Sequence, residues 1–76
     1  MVHAFIMVKT VAGQSETVRD DIEAIETVTE AHVVAGQYDV ISEVEGEEVY
    51  DALHTASSVI QGMEGVADTK TYICLE

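Results

Sequence analysis

The first candidate strand of this chain has no polar face. In Val2-His3-Ala4-Phe5-Ile6-Met7-Val8-Lys9-Thr10-Val11, the row Val2, Ala4, Ile6 and Val8 opposes His3, Phe5 and Met7. A strand with water on one side alternates apolar with polar residues; a strand covered on both sides does not. The second candidate strand repeats the pattern, with Val33 on one side and Val34 on the other. Both faces of the sheet are therefore expected to be mostly apolar.

The periodicities around that strand set the element order. Gly13 and Gln14 end it. Ser15 is the expected N-cap of a helix over residues 15–27, with Glu16 in the first turn, where the dipole favours an anion. Val18, Ile22 and Ile25 recur at helical spacing; Glu16, Arg19, Asp20, Glu23 and Glu26 form the solvated side. Thr29–Ala35 and Tyr38–Val44 read as the second and third strands. Gly46 breaks the chain, and Glu47-Glu48 open a second helix with Val49, Leu53, Ala56 and Ile60 as its buried stripe. Gly62 is expected in the left-handed conformation after it. Val66–Leu75 is the last strand.

The order predicts an α+β fold, the ferredoxin-like βαββαβ sandwich. Its length predicts a single domain over residues 1–76. Two helices cover only one face of such a sheet, so the other needs a partner. Two sheets packed face to face give a dimeric α/β barrel.

The stretch Val33-Val34-Ala35-Gly36-Gln37-Tyr38-Asp39-Val40-Ile41 joins the second and third strands. Gly36 suggests a tight turn with positive φ, or a longer loop. Asp is depleted in strands, yet Asp39 stands where one should begin. It either closes the turn on backbone N–H groups or belongs to a loop that holds a small ligand carrying both charges.

Composition limits the partners. The chain is 47% hydrophobic but has a net charge of −12, which implies apolar strands with acidic helix faces and argues against disorder. Its only basic residues besides histidine are Lys9, Lys70 and Arg19, so the surface repels phosphate backbones and anionic membranes. An acidic, lysine-poor surface is also similar to that of proteins from salt-loving organisms. Cys74 is the only cysteine, so no internal disulfide forms. Nothing resembles a signal peptide, and Val2–Val8 is too short to span a membrane. A soluble cytoplasmic protein is expected.

Gly36-Gln37-Tyr38-Asp39 resembles the Gly-x-Tyr-Asp motif of the Lrp/AsnC family of feast/famine regulators. Val28-Thr29-Glu30-Ala31 is similar to the family segment entering the second strand. Gly65-Val66-Ala67-Asp68-Thr69-Lys70-Thr71 is similar to the Gly-Val-x-x-Thr-x-Thr that opens the last strand. The resemblance covers nearly the whole chain and implies an effector-binding, or RAM, domain, expected to stand alone because the family's DNA-reading helix-turn-helix is missing; the acidic composition, not the resemblance, suggests a haloarchaeal source. It implies a homodimer, assembled further into tetramers or octamers, and an amino acid as effector. It implies a site at Val34, Ala35, Gly36, Gln37, Tyr38 and Asp39 with hydroxyls from Thr69 and Thr71. Backbone N–H groups near Gly36 would take the carboxylate and Asp39 the ammonium. By analogy the role is transcription regulation, with co-assembly with full-length family regulators as one route. No cofactor is called for.

Other chemistry is weakly supported by the residues. His3, His32 and His54 have no metal-ligand spacing. Ser57-Ser58 lack a nucleophile's context and read as helix hydroxyls. Asp39, Glu43 and Glu45 alternate on one face of the third strand, either as carboxylates for acid–base work or as a solvent-facing edge. The alternative function is a small dimeric α/β-barrel enzyme, oxygenase- or isomerase-like, with His3 or His32 as its candidate base.

Overall fold

A computed structural model of the chain describes residues 1–75. Strand β1 (Val2–Thr10) is followed by helix α1 (Ser15–Glu23), strands β2 (Val28–Val33) and β3 (Val40–Gly46), helix α2 (Val49–His54) continuing into a π-helical turn (Thr55–Ile60), and strand β4 (Val66–Ile73). The four strands form one antiparallel sheet in the order β2-β3-β1-β4. This is the ferredoxin-like βαββαβ arrangement. β1 is central because it is the most apolar strand and can be covered along both edges and one face.

Pairing partners share a face, so the register divides the sheet cleanly. Ala4, Ile6 and Val8 of β1 stand opposite Val44, Ser42 and Val40 of β3. All of these are fully buried beneath Val18 and Ile22 of α1 and Ala52, Ala56 and Ile60 of the second helical segment. Ser42 tolerates burial because its hydroxyl donates to the Ile6 carbonyl at 3.2 Å. Arg19 ties α1 to β2, donating from Nε to the Ala31 carbonyl at 2.9 Å.

The other face carries no helix, and it is not the mostly apolar surface that the sequence suggests. Phe5, Met7, Ile41 and Tyr72 form an apolar patch there, but Glu43, Glu45, Glu30, His3, His32 and Lys70 share the face. β2 accounts for much of the difference. It ends at Val33, which pairs with Val40 on the helix side, and its open-face residues are Glu30 and His32.

The helices depart from expectation in register. α1 ends at Glu23, and Gln14 is its cap residue; the Ser15 hydroxyl instead meets Thr10 Oγ1 at 2.9 Å. In the second helix Val49 and Leu53 are not buried; they are 47% and 46% exposed, and Ala52, Thr55, Ala56 and Ile60 face the core. The Gln61 N–H reaches back to the Ala56 carbonyl, an i→i−5 bond that widens the turn. That extra residue per turn lets both Thr55 and Ile60 point inward. Asp51 organises the start of α2, where its Oδ2 accepts from the Glu47 and Glu48 N–H groups at 3.1 Å.

After the second helical segment, the left-handed glycine is Gly65 (φ +92°) rather than Gly62. A Cβ at Gly65 would come within 2.9 Å of Val18 Cγ2, so β4 can start against α1 only with glycine there.

Candidate functional site

The segment between β2 and β3 is a loop over residues 34–39 without a hydrogen-bonded turn. Gly36 does not have positive φ, so the tight-turn expectation fails. The loop is closed at its base by the Val34 N–H donating to the Asp39 carbonyl at 2.8 Å. The Asp39 N–H donates to the Val8 carbonyl at 2.9 Å, and Lys9 Nζ donates to the Gln37 carbonyl at 3.0 Å. Between these anchors, the N–H groups of Ala35, Gly36, Gln37 and Tyr38 make no backbone hydrogen bond among the described residues. A Cβ at Gly36 would meet nothing within 4 Å. Neither backbone angle nor packing within the protomer demands glycine at that position.

Beside the loop lies a shallow recess of about 320 Å³, lined by Val34, Ala35, Gly36, Gln37 and Tyr38 with Met7, Ile41 and Tyr72. Met7 and Ile41 are directly paired across β1 and β3, and Tyr72 stands one pair along, opposite Phe5. The recess is thus the loop end of the open-face apolar patch. Met7, Ile41 and Tyr72 were not among the residues that sequence motifs picked out. Their signal was the shared parity of the open-face rows, which becomes usable only once the strand register is known.

Asp39, Thr69 and Thr71 do not line this recess. Asp39 turns toward the end of β1, where its Oδ2 accepts from the Thr10 N–H at 2.8 Å and from the Thr10 hydroxyl at 3.2 Å. The Thr10 backbone bond holds the Asp39 carboxyl below the ordinary aspartate range; partial burial opposes the shift, and the Thr10 hydroxyl and the Lys9 charge reinforce it. Asp39 therefore does not share a carboxylate row with Glu43 and Glu45. Thr69 and Thr71 pair with Val8 and Ile6, which places them on the helix-covered side of the sheet.

Glu43 and Glu45 have another neighbour. His3 Nδ1 lies 3.2 Å from Glu43 Oε2, and Nε2 lies 3.3 Å from Glu45 Oε1. His32 Nε2 lies 3.1 Å from Glu30 Oε1 on the same face. His54 is on α2, stacked on Tyr50 with ring centroids 6.0 Å apart. Among the described residues, no group of His, Cys, Asp and Glu has the geometry of a metal site. No described helix is long and apolar enough to cross a membrane.

Known structures share this fold. A hypothetical protein from Pyrococcus horikoshii is 36% identical over 100% of this chain and 92% of its own, with a TM-score of 0.91. AsnC of E. coli is 25% identical with a TM-score of 0.88; this chain is covered to 99% and corresponds to 51% of AsnC. A transcriptional regulator from Neisseria meningitidis, crystallised as an L-Met complex, shares the fold at 18% identity and a TM-score of 0.81, with 99% of this chain and 50% of that one covered. No curated protein sequence matches the chain. Residues 3–76 match the model of the Lrp/AsnC ligand binding domain, the family to which the chain belongs.

Proposed function

We propose that the chain is an effector-binding regulatory domain that pairs through its open sheet face and takes an amino acid in the recess beside Val34–Tyr38. The observation that carries this is the loop. It offers the N–H groups of Ala35, Gly36, Gln37 and Tyr38, unused by the fold, beside an apolar wall of Met7, Ile41 and Tyr72. Successive free N–H groups suit a carboxylate, and the wall suits an apolar side chain. Glycine at position 36 then has a reason, since it lets a ligand or a neighbouring copy approach the backbone. Asp39 is turned to Thr10 and lies outside the recess, so within one protomer it does not reach the ammonium. Thr69 and Thr71 join the site only where a neighbouring copy brings its own β4 to the loop. The Neisseria regulator's L-Met is in keeping with an effector of this class.

The role is regulatory and not enzymatic. The His3 cluster fits a base poorly, because a carboxylate stands at each ring nitrogen and neither nitrogen is left to face a substrate. Co-assembly with full-length regulators of the family would bring the effector signal to DNA. The charge of −12 is read as adaptation to high salt. Screening shortens from about 8 Å at physiological ionic strength to about 3 Å at 1 M, so Tm should rise with added KCl. A flat or falling Tm removes the halophilic source.

The site is tested by calorimetric titration of the common amino acids into the parent protein and into Gly36→Val. The substitution has open space around it and no positive φ to strain, so the variant should fold and melt as the parent does. Affinity for the effector should fall by about tenfold or more, or roughly 1.4 kcal/mol. Equal affinity in the two proteins moves the site elsewhere. No binding by the parent to any amino acid removes this class of effector.

A further inference from the structure

Away from the loop, the open face carries a ladder of carboxylates and imidazoles. His3 lies directly across from Glu45, and Glu43 follows on the same face of β3. Glu30 of β2 pairs with Glu43, and His32, next on that side of β2, contacts Glu30. The sequence along the ladder is thus Glu45, His3, Glu43, Glu30, His32. From the β4 side, Cys74 approaches, its N–H donating to the His3 carbonyl at 2.9 Å. Met1, Glu26 and Glu47 line the same shallow recess as Glu45. The side-chain cations of the face, Lys9 and Lys70, lie at the other end of the strands, with Asp68 opposite Lys9.

A neutral imidazole has one N–H and one bare nitrogen. It can donate to one carboxylate, and its bare nitrogen then faces the other without a proton between them. Only the imidazolium serves both, with two charge-assisted bonds. In an isolated protomer this matters little, because His3, Glu43 and Glu45 are partly exposed and surrounding water screens their charges. Covering the face removes that water. Buried carboxylates left without a counter-charge then oppose the covering.

We propose that proton uptake by His3, held between Glu43 and Glu45, gates the pairing of two copies through the open face. Copies associate when the ring is protonated and separate as it becomes neutral. This rests on the open face being the pairing surface. Histidine is the side chain whose charge ordinarily changes between about pH 5 and 8, which sets the range over which the gate is tested.

Sedimentation of the full chain between about pH 5 and 8 at fixed salt tests it. The dissociation constant should rise with pH by about tenfold or more, the effect of a one-unit difference in proton affinity between paired and free states. His3→Gln should pair weakly at every pH and lose the dependence. Glu43→Gln combined with Glu45→Gln should pair at high pH as well as the parent does at low pH. His54→Gln, on α2, should behave as the parent, which separates the gate from a general change in net charge. A parent dissociation constant that does not vary with pH overturns the gate, as does a His3→Gln protein that keeps the dependence; in either case pairing itself stands. A parent that stays monomeric at every pH overturns the pairing surface and the gate together.

Discussion

The two faces of the sheet come from the same strands, one residue apart, and they are built on opposite chemistry. On the helix side, Ala4, Ile6, Val8, Val40 and Val44 lose all contact with water. The polar exception in that row, Ser42, spends its hydroxyl on the Ile6 carbonyl. On the open side Phe5 and Tyr72 remain 40% and 52% exposed, and ionisable residues alternate with them. Apolar content alone does not tell a core row from an exposed one. The charges mixed into the open row do, because an interior position rarely admits an unpaired charge; they are also compatible with the pairing proposed for this face, since an interface keeps polar groups at its rim.

Truncation on the covered side should give the largest effect. Ile6→Ala should cost about 2–5 kcal/mol of folding stability, because the helices above β1 can collapse only partly into the space left. Urea unfolding measures it. A loss under about 1 kcal/mol would mean that the covered face is not the core.

The matching change on the open side should spare the fold. Phe5→Asp should leave the circular dichroism of the protomer intact while weakening association by about 2–4 kcal/mol, the scale of a central interface aromatic. Sedimentation equilibrium reads the association. If the variant unfolds instead, the faces are less distinct than their exposure indicates.

Within the covered face, Ser42→Ala isolates one polar contact. It should cost about 0.5–1.5 kcal/mol, the net worth of a neutral hydrogen bond. A stabilised variant would show that the hydroxyl is tolerated there rather than useful.

The smallest effect is at the seam between the loop and β1. Because the Thr10 N–H holds the Asp39 carboxyl below its ordinary range, the charged form favours the folded state. That contribution is present above about pH 4 and is lost as the pH falls through the lowered value. Asp39→Asn should lower Tm slightly at neutral pH and flatten the acid-side dependence of Tm. An unchanged acid limb would show that the Thr10 clamp does not contribute to folding.

Much of the fold was legible in the sequence, because local rules govern what it used. Apolar runs bounded by glycines marked the strands, and the 3.6-residue spacing of Val18 and Ile22 marked α1. The Gly36–Asp39 motif marked the loop. What failed was register. Of the stripe expected on an ideal helical period, Ala56 and Ile60 are buried but Val49 and Leu53 are not; Ala52 and, at the start of the wider turn, Thr55 face the core instead. The expected second strand runs to Ala35 and the third starts at Tyr38, yet β2 stops at Val33 and β3 begins at Val40, which leaves residues 34–39 to the loop.

The sequence by itself determined the element order, the acidic surface and the loop that carries the candidate site. These follow from residue types read over a few neighbours. The tertiary structure alone decided which side chains meet across strands. Strand pairing put Met7, Ile41 and Tyr72 beside the loop and sent Thr69 and Thr71 to the other side of the sheet. It also set His3 between Glu43 and Glu45, residues separated from it by about half the chain. The physical reason is that a strand's face is fixed by parity, but its partner is fixed by register, and register depends on how every strand fits the shared core.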